Sequence, residues 1–523
     1  MADYYELNTD ILMRLHMLEP QAGHAQAALK ISEQGRARSL LELLNEARGD
    51  IRQGVSASLL ERERTLKNRL TAKLDSLTGI LSSKAAGAQK SDARKEVNDL
   101  TEEYRQVQAE IRQTSPHYAA LTQPQPLGAR EIQRLLDNDT LLLEYALGEK
   151  ASYLWAVTPV SVSSYQLPPR VEIEAAARKV YDLLITRPKR GTPLDPQFIV
   201  QAEALSRMLL GPASSQLGKK RLVVVAPGVL AYLPFASLPV PDGKTYQPLI
   251  ATHEIVNLPS ASVLSVIRRE TEGRTPTSQV IAVLADPVFE ASDPRVTQAK
   301  AAGEMPPAIA AERSALSRAI NLSTRTGART GLTRLAFSRQ EADAIFAVAP
   351  RGAGLKATDF TASRATAISE RLGQYRILHF ATHGLLNNEQ PELSGLVFSL
   401  VDEKGNAQDG FLRLHEVFNL KLNADLVVLS ACETGLGKEI KGEGLIGLTR
   451  GFMYAGAPRV VASLWNVDDL ATAELMKLFY RGMLKDGLRP AAALRAAQSE
   501  LSRQRRWASP YFWAGFVLQG EWK

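Results

Sequence analysis

A single cysteine, Cys432, stands in a chain of 523 residues. That scarcity excludes an internal disulfide framework and any cysteine-rich zinc site, and it predicts a reducing compartment, the cytoplasm. Long apolar runs are missing as well. No stretch approaches the roughly 18 consecutive apolar residues of a membrane-spanning helix, and the opening MADYYELNTDILMRL is too broken by charges for a signal peptide. The net charge of +7 is not gathered into a basic tract with interleaved aromatics, so neither membrane nor direct nucleic-acid binding is expected. With those classes set aside, 45% hydrophobic and 23% charged residues describe an ordinary globular protein long enough for two or more domains.

The first 50 residues read as two helices broken at Pro20, with Ala27, Ala28, Ile31, Gly35, Ala37 and Leu40 giving a small, apolar face suited to close helix pairing. The pair resembles the last unit of a tetratricopeptide array. In residues 51–115, Leu66, Leu70, Leu74, Leu77 and Leu81, then Val97, Leu100, Tyr104, Val107 and Ile111, recur at helical spacing around the loop-like SSKAAGAQKSDARK. This predicts an antiparallel hairpin, either a docking arm or a self-packed cover. After the Pro-rich TQPQPLG, residues 130–290 alternate strands and helices but offer only His253 as a candidate base. Residues 291–331 read as a linker or insertion, and Pro287 already opens that low-periodicity composition. From 332 to 523 strand and helix alternate again, including a helix at Thr361–Leu372 and strands at Arg376–Thr382, Leu426–Ala431 and Arg459–Leu464. The expected fold is α/β: a mostly parallel sheet flanked by helices and preceded by an all-α region.

Two buried-strand signals end in reactive side chains. YRILHFATHG delivers His383 and ADLVVLSACETG delivers Cys432, 49 residues later, each followed by glycine punctuation. Sites in open α/β sheets form outside the carboxyl ends of the strands, so this pattern predicts a Cys/His dyad and a cysteine peptidase. An imidazole is needed because a free thiol, with a pKa of roughly 8.5, is mostly protonated at neutral pH. The N–H of Gly384, unshielded by a side chain, would join that of Cys432 as an oxyanion hole, and His383 would protonate the leaving amine. His379 lies inside its strand and reads as a satisfied core histidine. His379, His383 and Cys432 lack a fourth zinc ligand at finger spacing, and TGLGKEIKG fails as a phosphate loop because Glu439 follows Lys438. No metal and no cofactor are expected.

HFATHG, SACETG, GEGLIGLTRGFMYAGAPRVVASLWNVDD and SPYFWAGFVLQG closely resemble the CHAT domain, a caspase-like peptidase module that often follows tetratricopeptide repeats. With VVVAPGVLAYLPFASLP upstream, the resemblance covers roughly residues 130–523. It implies a clan of peptidases whose strands end in His-Gly and Ala-Cys, matched here by His383, Gly384, Ala431 and Cys432. It also implies that residues 130–290 form an inactive caspase-like pseudo-domain beside an active domain at 332–523. Ser430 stands where caspases carry the glutamine that helps bind a P1 aspartate, so cleavage after aspartate is not expected.

Asp468 and Asp469 fall in the loop that should line the first specificity pocket. A carboxylate there would favour a basic P1 side chain; alternatively, one of the pair caps the following helix. Trp465 reads equally as pocket wall or core. The expectation is a cysteine endopeptidase acting on protein substrates and regulated by a protein partner bound through its N-terminal helices. The alternative is a catalytically silent caspase-like scaffold for protein assembly.

Overall fold

The computed structural model describes residues 2–46, 126–296 apart from 242, 244 and 276, 332–430 apart from 353 and 386–393, and 444–523 apart from 466 and 467, with scattered positions between 56 and 110. The chain divides into two compact units, one of Met1–Gly49 with Pro126–Lys523 and one of Asp50–Gln125. In the second, Leu66, Leu100 and Val107 bury together beside Leu59 and Tyr104. Arg62 pairs with Glu110 at 3.2 Å and Lys73 with Glu96 at 2.7 Å, so the numbering of one helical run rises as the other falls.

The larger unit is built on one eleven-stranded sheet. In chain order its elements are α1 (Ala2–Leu18), α2 (His24–Glu46), α3 (Ala129–Leu135), β1 (Thr140–Ala146), β2 (Ser152–Val157), β3 (Val162–Leu167), α4 (Arg170–Ile185), α5 (Pro196–Leu210), β4 (Arg221–Val225), β5 (Ile255–Asn257), α6 (Ala261–Thr271), β6 (Gln279–Ala285), α7 (Ala336–Val348), β7 (Gly354–Thr358), β8 (Tyr375–Ala381), β9 (His383–Leu385), β10 (Gly395–Val397), β11 (Phe411–Arg413), β12 (Leu426–Leu429), α8 (Gly444–Tyr454), β13 (Arg459–Ser463), α9 (Asp469–Leu484), α10 (Pro490–Arg503) and β14 (Phe516–Gly520).

The sheet order is β3-β2-β1-β4-β5-β14-β13-β12-β8-β6-β7, while β9, β10 and β11 form a small second sheet. The pairs β1–β4, β4–β5, β5–β14, β12–β13, β12–β8, β6–β8 and β6–β7 are parallel. Runs such as LVVL in β12 and RVVAS in β13 lack polar alternation because helices cover both faces of a parallel sheet. The carboxyl-terminal strand β14 joins the two halves, antiparallel to β13 and parallel to β5.

Two features depart from the sequence reading. Gln279–Ala285, expected to complete the first α/β half, has β7 and β8 as its neighbours. The helix expected over Thr361–Leu372 is instead a short helix at Arg364–Ala367 between two 3-10 turns. Ser363 and Ser369 each accept a nearby backbone N–H, restarting the chain rather than continuing one helix. Of the stretch from Pro287, residues 287–296 are described and held by ion pairs, and 297–331 lie outside the described residues.

The N-terminal helix pair docks on the first half through polar contacts that apolar periodicity does not announce. Glu33, fully buried, accepts the backbone N–H groups of Ala261 at 3.0 Å and Ser262 at 2.7 Å, capping α6. Trp155 donates its indole N–H to the carbonyl of Ala25 at 3.0 Å, and Tyr153 its hydroxyl to Asp10 at 2.7 Å. Gly35 lies against Tyr5, where an added Cβ would come within 3.2 Å of that ring's Cβ, so glycine sets the close crossing of α1 and α2.

Candidate active site

The register of β8 with β12 fixes where the two strand tips lie. Ile377 pairs with Leu426 and Phe380 with Leu429, in parallel. Phe380 stacks on Phe452 of α8 with centroids 5.5 Å apart, tying that helix over the strand. Beyond Ala381 the chain leaves the large sheet: the Thr382 hydroxyl donates to the Val397 carbonyl, and His383 opens β9 opposite Val397. Gly384 follows opposite Leu396.

His383 is 5% exposed. Its Nε2 lies 2.7 Å from the Thr333 carbonyl oxygen. A carbonyl can only accept, so Nε2 is the donor, and in the neutral imidazole the lone pair then lies on Nδ1. The Phe289 ring lies 5.1 Å from the imidazole, centroid to centroid. One ring nitrogen is thus satisfied by the backbone, which leaves the other for a proton-transfer partner. Cys432 and Ala431 lie outside the described residues.

Ser430, the last described residue before them, gives its N–H to the Phe380 carbonyl at 2.9 Å and its hydroxyl to Glu341 at 3.1 Å. Glu341 of α7 also sits 3.2 Å from Nε2 of His379, whose Nδ1 meets the Tyr480 hydroxyl at 2.9 Å. His379 is fully buried among these partners. His253 is equally enclosed: its Nδ1 meets the Lys220 carbonyl at 2.8 Å, and burial holds the ring below the usual histidine range.

The specificity candidates are spread over different surroundings. Trp465 is buried, donating its indole N–H to the Tyr511 carbonyl at 3.1 Å. Asp468 caps α9 by accepting the Ala471 N–H at 3.2 Å, and takes Arg187 at 2.5 Å and Arg190 at 2.7 Å. Burial pushes its carboxyl up, but Arg190, the Ala471 N–H and Arg187 hold it below the usual carboxylate range. Asp469, at the surface in the first turn of α9, shifts the other way, raised by desolvation and by the charges of Asp468 and Glu341.

Sequence reasoning missed Thr333, Asp286 and Glu341, which touch or support the residues at the strand tips. Only Asp286 carried a signal, since it directly follows β6, at the carboxyl end of a parallel strand.

The CHAT domain family model matches residues 200–521. The chain belongs to the CHAT domain family. Among curated proteins, Tetratricopeptide repeat protein 28 of Homo sapiens is 36% identical over 113 residues, which is 22% of this chain and 4% of that protein. Its Mus musculus counterpart is 35% identical over 105 residues, 20% of this chain and again 4% of the relative. The match to this CHAT protein thus spans a small part of those relatives' length. Among solved structures, the Saccharomyces cerevisiae separase-securin complex aligns over 96% of this chain and 41% of that one, at 10% identity and a TM-score of 0.40. The Arg-specific cysteine proteinase gingipain R aligns over 61% and 69%, at 10% identity and a TM-score of 0.34.

Proposed function

We propose that this CHAT protein is a cysteine endopeptidase in which His383 activates Cys432. One observation carries the reading: β8 and β12 are adjacent parallel strands, and His383 stands three residues past Phe380 as Cys432 stands three past its register partner Leu429. Neighbouring strands lie about 4.8 Å apart, so residues leaving them at the same level start within reach of each other. The proton on Nε2 of His383 is held by Thr333, which leaves Nδ1 to take the thiol proton. The thiolate then attacks the scissile carbonyl, the N–H groups of Gly384 and Cys432 bind the oxyanion, and the imidazolium gives its proton to the leaving amine.

For the P1 side chain, Asp469 is the better partner of the two aspartates, because Asp468 already receives two guanidinium groups and a backbone N–H. Ser430 and Asp469 are assigned to the pocket, with preference for arginine or lysine, while Trp465, buried against Tyr511 and Tyr181, belongs to the core. Strands β1, β4 and β5 belong to a half without a dyad, the inactive pseudo-domain.

Regulation by a protein partner through the N-terminal helices is supported by the surface of α1, where Tyr4, Leu7, Ile11, Leu15 and Leu18 are exposed along one stripe. A cleft of about 840 Å³ is walled by Glu6 and Asp10 of α1, Arg36 of α2, the Pro227 and Leu258 loops and Arg450 of α8. Helix α8 directly follows residues 431–443, so movement of α1 and α2 has a short route to the segment carrying Cys432. The cytoplasm, where thiols stay reduced, is the proposed compartment. A diverse peptide library is the test: turnover after Arg or Lys that Cys432→Ala abolishes agrees with the reading, and turnover retained by that variant defeats it.

A further inference from the structure

Asp286 directly follows strand β6 and is fully buried, yet three guanidinium groups converge on it. Arg334 forms a two-pronged bond, Nε at 2.9 Å and Nη2 at 2.7 Å. Arg339 adds Nε at 2.8 Å, and Arg295 lies 3.1 Å from the carboxylate while donating to the Asp286 carbonyl at 2.8 Å. Arg295 and Arg339 also both reach Asp359. Among the described residues, Asp286 (φ 51°) and Asp359 (φ 55°) are the non-glycine residues in the left-handed region. Aspartate tolerates this region better than most side chains, and such conformations persist where surrounding structure supports them, commonly beside functional sites. A well-packed apolar cluster would stabilise the fold as well as a buried ion network does, so the network's directionality needs another account.

That account lies one peptide away. The carbonyl that holds His383 belongs to Thr333, and its peptide unit is the rigid plane shared with Arg334. Holding the Arg334 fork on Asp286 restrains the backbone at that peptide unit. The backbone N–H of Asp286 donates to the Ser338 hydroxyl at 2.9 Å, and that hydroxyl donates to the Leu335 carbonyl at 2.7 Å, closing the turn from its far side. Phe289, the other group against the imidazole, follows Asp286 by three residues in the same clasped stretch.

We propose that Asp286, through Arg334, is a positioning residue for His383: the ion clasp aims the Thr333 carbonyl at Nε2 and so sets the tautomer that leaves Nδ1 basic. The proposal rests on the dyad reading above. Without the clasp the imidazole samples both tautomers, and the thiol loses a base held in the productive form. The fork matters as well as the charge, because a lysine cannot reproduce a planar two-pronged bond.

The test uses the full chain, Asp286→Asn, and Arg334→Gln at a side chain that is 40% exposed and so tolerates replacement. Nitrogen-15 spectra of labelled histidine, with His383 assigned by His383→Gln, report the tautomer. Carboxymethylation by iodoacetate reports the thiolate, and with one cysteine in the chain every adduct reads Cys432. Wild type should show Nε2–H and an alkylation midpoint below the ordinary thiol value of roughly 8.5. Arg334→Gln should mix the tautomers, raise the midpoint and slow alkylation at pH 6.5 about tenfold, with Arg334→Lys between. Folded Asp286→Asn and Arg334→Gln proteins with unchanged tautomer and midpoint would overturn the clasp while leaving the dyad standing. A wild-type midpoint at the ordinary value, indifferent to His383→Gln, would overturn the dyad and the clasp together.

Discussion

Replacing Glu144 with glutamine should abolish a pH dependence built into the docking of the N-terminal helices. Glu144 sits fully buried in the middle of β1, where its carboxylate accepts the Ser32 hydroxyl at 2.8 Å and lies 3.4 Å from Nε of Arg36, both on α2. Burial, and then the negative charge of Glu33, push its pKa up to about 8 from an ordinary 4.5. Between these values the folded protein holds a proton that the unfolded chain has released. Stability from this group is therefore complete below pH 4.5 and declines as pH rises toward 8. The slope approaches about 1.4 kcal/mol per pH unit, on the order of 5 kcal/mol across the window. Glutamine cannot ionise, so Glu144→Gln should differ little from wild type at pH 5 and be more stable at pH 8. Thermal unfolding followed by tryptophan fluorescence, together with proteolysis of α1 and α2, reads the effect. A gap between variant and wild type that stays constant from pH 5 to pH 8 would refute the argument.

Two further outcomes follow from local geometry. Asp468→Ala removes the cap of α9 and leaves Arg187 and Arg190 without their shared carboxylate, so thermal unfolding should report a loss of about 2 kcal/mol, while P1 preference stays where Asp469 sets it. Gly456→Ala should be worse: at φ 115° its new Cβ would stand 2.2 Å from the Leu422 carbonyl oxygen, and a loss of about 3 kcal/mol in urea unfolding is expected.

The parallel strands were legible because burial on both faces leaves a continuous apolar run, as in LVVL and RVVAS, and their punctuation put His383 and Asp468 near element ends. Elements that owe their form to a few side-chain bonds were not. The three-stranded sheet of β9, β10 and β11 has strands of three residues, too short for periodicity to register. β7 reads GLKAT, largely surface text, and takes its conformation from pairing with β6. Thr333 acts through its backbone carbonyl, which no residue identity encodes, and the Arg295, Arg334 and Arg339 clasp spans dozens of positions. On α2 the approach of Gly35 to Tyr5 agrees with the small-residue face expected there while Ala27 is exposed, and the task of Glu33, capping a helix more than 200 residues away, depends on tertiary placement alone.

The account turns on whether His383 serves Cys432, and a peptidyl electrophile carrying P1 arginine asks that directly. Covalent labelling of the wild-type protein at Cys432 is expected, with at least a hundredfold slower labelling of a folded His383→Ala variant, as general-base contributions of roughly that size require. Equal labelling rates for the two proteins would contradict it.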